Sequence, residues 1–147
     1  MKKLSICFAF ALMFCLVLSG CTTQFEGTWE VSNYLVAVNN LEFEYSFAQA
    51  EELVVNQGDN LTDEQMAENF VVSMHQMAKD YVMKFAGNKV VLTIMGVESE
   101  TDFTYENNII SIATPEMNLS YENEKLYVTE EVEGFKITMF FEKLANN

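Results

Sequence analysis

The stretch Phe135-Lys136-Ile137-Thr138-Met139-Phe140-Phe141-Glu142 decides the fold. Phe135, Ile137, Met139 and Phe141 fall on one face at period two and Lys136, Thr138 and Glu142 on the other, as a strand with one buried side requires. Phe140 breaks the alternation and is expected to pack outside, against a helix or the first strand. Upstream, the same kind of segment recurs at Val90 to Met95, Glu100 to Tyr105, Ile109 to Ala113, Met117 to Tyr121 and Leu126 to Glu130. Glu106-Asn107-Asn108, Glu122-Asn123-Glu124 and Glu133-Gly134 separate several of them, and connections this short make antiparallel neighbours.

Towards the other end, Glu26-Gly27-Thr28-Trp29-Glu30-Val31-Ser32-Asn33 alternates as a first strand, with Trp29 and Val31 on its buried side. Tyr34-Leu35-Val36-Ala37-Val38 is apolar on both faces, so a continuation of that strand needs a cover on its outer side. Thr62-Asp63-Glu64-Gln65 has the form of a capping box and predicts a helix start. Ala67, Phe70, Met74, Met77, Tyr81 and Phe85 follow at spacings of three and four, with Val71, Ala78 and Val82 on the same side. Gly87 suits a helix end, although Val82 to Ala86 also reads as a strand turning at Gly87-Asn88. Leu41 to Val55 is open between strand, from Leu41, Phe43, Tyr45 and Phe47, and helix, towards which Ala48-Gln49-Ala50-Glu51-Glu52-Leu53 inclines it. The expected fold is mainly β: a small antiparallel up-and-down barrel of seven or eight strands, with one or two helices inserted after the first strand. Closure removes the sheet edges.

Phe25-Glu26-Gly27-Thr28-Trp29 resembles the Gly-x-Trp opening of lipocalins and lipocalin-like bacterial lipoproteins, and Met139-Phe140-Phe141-Glu142-Lys143 resembles their closing strand. The resemblance implies that Gly27 and Trp29 form the base of the barrel and that the protein binds an apolar or amphipathic small molecule. Three features depart from it. The chain is short for a lipocalin, its helical insertion is more like the lid of intracellular lipid-binding proteins, and no arginine is present to cover Trp29. Lys136 or Lys143 is the substitute. A ligand would then meet Phe43, Met74, Met77, Ile137 and Met139. The rival reading is a barrel filled by its own Phe and Met side chains, in which Met66, Met74, Met77 and Met83 are core and not a plastic lid. Such a barrel would act as a protein-binding module, an inhibitor or an accessory subunit of an envelope assembly, through its loops.

The chain opens with Lys2 and Lys3, an apolar run from Leu4 to Leu18, and Leu18-Ser19-Gly20-Cys21. This is the anatomy of a secretory signal, and its end resembles the lipobox of bacterial lipoproteins. Residues 1–20 are thus expected to be removed, with Cys21 acylated and residues 21–25 forming a tether to a domain spanning 26–144. The expected location is the bacterial cell envelope, anchored by the acyl chains on Cys21. Thr22, where inner-membrane retention would favour aspartate, directs the expectation to the outer membrane. Five extended steps reach roughly 17 Å, so the domain sits against the membrane.

Removal of the signal leaves 127 of the 147 residues, enough for one domain, with Cys21 the sole cysteine and therefore no disulfide within the chain. Six lysines then face 22 acidic residues, a formal net charge of −16. Such a surface repels nucleic acid and anionic head groups. The absence of arginine also removes the usual bidentate clamp for anionic ligands. His75 is the only histidine, falls towards the polar edge of its helix and has no second histidine or cysteine with which to hold a metal. Asp59, Asp63 and Glu64 lack the spaced oxygens of a calcium loop, and Glu130, Glu131 and Glu133 read as solvated charge. No nucleophile and base, no glycosidase pair and no phosphate loop can be nominated. No catalytic residue, metal or cofactor is expected.

Overall fold

The computed structural model describes residues 24–132 and 134–145; the expected signal peptide, its cleavage residues Leu18, Ser19 and Gly20, and Cys21 lie outside them. In chain order the elements are β1 (Gly27–Val38), β2 (Leu41–Ser46), α1 (Phe47–Glu52), α2 (Asp63–Ala78), β3 (Val82–Ala86), β4 (Lys89–Ile94), β5 (Val97–Glu106), β6 (Ile109–Ala113), β7 (Glu116–Glu122), β8 (Lys125–Val132) and β9 (Phe135–Lys143). Successive strands from β3 to β9 pair antiparallel, and β1 pairs with both β3 and β9. Eight strands therefore close into a barrel, with β2 attached beside the second half of β1.

Turn chemistry explains the meander. Asn39-Asn40, Met95-Gly96, Asn107-Asn108 and Asn123-Glu124 each place both residues at positive φ, the backbone of the two-residue hairpin whose twist matches that of the strands. Asparagine tolerates this region better than most residues, and it supplies five of these eight positions. Of the two readings open for Val82–Ala86, the strand that turns at Gly87-Asn88 holds, and the helix ends at Ala78. Leu41 to Val55 divides between both readings, as strand to Ser46 and helix to Glu52.

The apolar run of β1 has a local cause. Between Val31 and Asn33 the register against β9 slips by one residue, a β-bulge at Ser32. The slip turns the inward set from Trp29 and Val31 to Tyr34, Val36 and Val38, all of them buried. α2 does not cover the outer side of β1 as the sequence suggested. It packs on the inward face, where the hydroxyl of Tyr34 meets the imidazole of His75 at 3.0 Å. Phe140 lies outside, but its aromatic neighbour is Tyr127 of β8 at 5.7 Å, and not a helix.

The base is an aromatic cluster. Trp29 is 1% exposed, and its indole N–H donates to the Phe25 carbonyl at 2.9 Å. Phe25, assigned to the tether on sequence grounds, is fully buried, with its ring edge-on to Tyr105 and Tyr121 at 4.7 Å. It belongs to the barrel. Of the two lysines expected beside Trp29, Lys143 is the one at this end, directly opposite the tryptophan in register. Gly27 sits at φ +125°, and a Cβ there would lie 2.8 Å from Lys143 Cε. The flexible lysine end can move aside, but the backbone cannot adopt this φ with a side chain at low cost. Gly27→Ala is therefore expected to lose about 1–3 kcal/mol, and Gly27→Ala/Lys143→Ala to recover little of it. Full recovery in the double variant, read from thermal unfolding, would place the strain in the side-chain contact instead.

Candidate functional site

At the end of the barrel opposite Phe25 the interior is closed by α2. Its buried stripe is Ala67, Val71, Val72, His75 and Ala78, so the helix is turned relative to the expected stripe. Met77 points out, 54% exposed, and His75, expected at the polar edge, is 7% exposed. Two capping boxes start the helices. Thr62 and Gln65 exchange side chain–backbone bonds at 3.0 and 3.2 Å, and Ser46 and Gln49 do so at 2.8 and 3.2 Å. Phe70 stacks on Phe135 of β9 at 5.0 Å, and Phe47 of α1 meets the His75 ring at 4.6 Å. Asn39 Nδ2 donates to Asp63 Oδ1 at 2.8 Å and ties the β1–β2 turn to the start of α2.

Burial holds the His75 imidazole below its ordinary 6.5; Glu51 opposes this and Lys79 adds to it. Burial also pushes the Tyr34 phenol up to about 12, so this hydroxyl stays protonated beside His75. Because the unfolded chain takes up the His75 proton first, this pair contributes stability above about pH 6.5. That contribution falls as pH drops towards the lower folded value. The expected result is a lower unfolding midpoint at pH 5 than at pH 7.5, with the difference reduced in His75→Gln; an unchanged difference in that variant would remove His75 as its source.

The five residues expected to meet a ligand differ in exposure. Ile137 is buried in the core, Phe43, Met74 and Met139 are half-buried against it, and Met77 is outside. The interior is occupied by inward side chains of all eight strands, including Trp29, Phe85, Leu92, Ile110, Leu119 and Phe141. Five principal clefts lie at the surface, and none is lined by any of the five expected residues. One of about 740 Å³ opens in the barrel wall between β1 and β3, among Val31, Phe47, Tyr81, Val82 and Met95. Among the described residues no three His, Cys, Asp or Glu side chains are arranged to hold a metal ion.

The wall has a second opening of a different kind. β1 gives its first half to β3 and its second half to β2, so among the described residues β2 has β1 as its only strand neighbour. The two-residue turn makes Val38 and Leu41 a hydrogen-bonded pair, and the alternation directs the backbone groups of Phe43 and Tyr45 to β1 as well. The N–H and C=O of Glu42 and Glu44 therefore point away from β1, and no backbone partner meets them among the described residues. Both glutamates are exposed, while Tyr45 on the opposite face is buried with its hydroxyl unpartnered among the described residues. Sequence reading missed this edge and the burial of His75; the alternation from Leu41 to Tyr45 was the available signal for the strand.

Charge is unevenly placed between the two ends. Lys84, Lys89, Lys125 and Lys143 lie near the ends of strands at the Phe25 base, among Glu26, Asp102, Glu106, Glu122, Glu124 and Glu142, and Lys89 pairs there with Asp102 at 2.9 Å. At the helix-bearing end, Lys79 and Lys136 stand against Glu42, Glu44, Glu64, Glu68, Glu130 and Glu131 and further acidic groups. No family model, curated protein or solved structure matches this chain.

Proposed function

We propose that the protein is a lipid-anchored, lipocalin-like lipoprotein of the bacterial cell envelope, held at the outer membrane through Cys21, and that its barrel is a filled scaffold which binds an envelope protein. The observation that carries the second half is the occupied interior, where buried aromatic and aliphatic side chains from every strand of the barrel meet. Function then resides on the surface. Phe25 lies in the base, only four residues after Cys21, so an acylated Cys21 would turn the base to the membrane and the acidic, helix-bearing end away from it.

A second reading, uptake of an apolar or amphipathic small molecule, is favoured by the wall cleft beside Phe47 and Tyr81. The two readings separate in living cells. A photo-crosslinking residue placed at Asn40 or Glu131, at the helix-bearing end, is expected to capture the same protein from both positions, whereas Asn107 and Asn123 at the base are expected to capture none. Absence of any protein adduct at all four positions would contradict the protein-binding reading.

A further inference from the structure

We propose that the open edge of β2 is a docking strand for an extended, lysine-alternating segment of a partner protein; this deepens, and rests on, the protein-binding reading. The edge offers the N–H and C=O of Glu42 and Glu44, two residues apart, which is the repeat at which an added strand presents its own backbone groups. The carboxylates of the same two residues lie on the outer face, so an added strand would place alternate side chains against them. Glu44 is already fixed from the other side, accepting from Asn33 Nδ2 at 2.7 Å; Lys125 shares a surface cleft with it, but no salt bridge reaches its carboxylate among the described residues.

Charge selects the occupant. Opposite charges on directly facing strand positions stabilise a pair, and like charges destabilise it. A second copy of this chain pairing β2 on β2 in antiparallel fashion would set Glu42 of one against Glu44 of the other, so the acidic edge works against self-association. A strand with lysine at every second position reverses both contacts and also meets the acidic field of the helix-bearing end. β2 is six residues long and ends where the Ser46 N–H is taken by Gln49 Oε1, which limits the added strand to about the same length.

The probe is a labelled Lys-Val-Lys-Val-Lys-Val peptide added to the full-length chain in detergent, with Glu-Val-Glu-Val-Glu-Val as its counterpart. Binding is read by fluorescence anisotropy and amide exchange by NMR. The lysine peptide is expected to bind and to slow exchange at the Glu42 and Glu44 amides. Glu42→Lys/Glu44→Lys is expected to weaken it about tenfold, as two exposed pairs become repulsions, and to make the glutamate peptide the better ligand. Glu98→Lys/Glu100→Lys on β5 makes the same change in net charge and is expected to leave the preference unchanged. Glu42→Gln/Glu44→Gln, isosteric and uncharged, keeps the edge testable if the lysine variant does not fold, and its loss should be smaller. No binding, binding without slowed exchange at those two amides, or equal weakening by the β5 variant would overturn the assignment to β2. Any of these together with protein crosslinks at Glu131 leaves the protein-binding reading in place; failure of the crosslinks at all positions removes the reading itself.

Discussion

Trp29→Ala unfolds about 3–5 kcal/mol more easily than the parent chain, the range for removal of a large aromatic side chain from a packed core. Trp29 is 1% exposed, pairs with Met83 of β3 and Lys143 of β9, and so fills the base where the first strand joins both of its neighbours in the closed barrel. Its removal also leaves the Phe25 carbonyl without the indole donor that meets it at 2.9 Å, and a buried acceptor deprived of its partner adds to the loss. Against a usual domain stability of about 5–15 kcal/mol, the change is large enough to populate unfolded chain. Trp29→Phe keeps most of the volume and should lose less. Because Trp29 is the only tryptophan, the comparison is made by urea unfolding followed with far-UV circular dichroism. A loss below about 1 kcal/mol, typical of surface positions, would show that the base is not closed by this residue.

Cys21→Ser transfers the protein from the membrane fraction to the soluble fraction almost completely. Each buried methylene of an acyl chain contributes about 0.8 kcal/mol, and two chains make stable an attachment that one chain leaves marginal. Once residues 1–20 are removed, nothing among the described residues is suited to replace them. The net charge of −16 after removal of the signal opposes adsorption to anionic lipid, and among the described residues no helix is long and apolar enough to cross a membrane. The check is fractionation followed by immunoblotting; undiminished retention of the serine variant on membranes would remove the lipoprotein reading.

The barrel was legible because its strands are local. Within each strand the inward residues sit two positions apart, as Ile110 and Ile112 or Leu126 and Val128 do, and the asparagine turns between strands are read from adjacent residues. The Thr62 capping box was legible for the same reason. Where two periodicities overlap, the sequence was ambiguous. Leu41 to Tyr45 alternates straight into a helix-forming run, and the boundary is Ser46, whose partner Gln49 three residues later repeats the Thr62–Gln65 pattern. Val82 and Phe85 continue the stripe of α2 at helical spacing although they belong to β3.

The candidate site was less legible because its origin is tertiary. Hydrophobicity favoured Met77 over His75 for the buried stripe, yet the buried imidazole finds Tyr34 of β1, a partner 41 residues away. The single-residue slip at Ser32 carries no composition signal beyond the change of phase from Val31 to Tyr34. The open edge of β2 exists only because β1 divides its length between β2 and β3, which no segment of sequence states by itself. The five residues nominated for a ligand were each plausible inward positions of some element, and they range from buried Ile137 to Met77 at 54% exposure.

Native mass spectrometry of the chain after exposure to a lipid and metabolite extract of its own cells tests most directly whether the barrel is filled. The expected spectrum shows the folded protein at the mass of the chain and its anchor alone. A discrete additional mass that disappears on denaturation, in a one-to-one ratio with the protein, would contradict the filled barrel and return the small-molecule reading to first place.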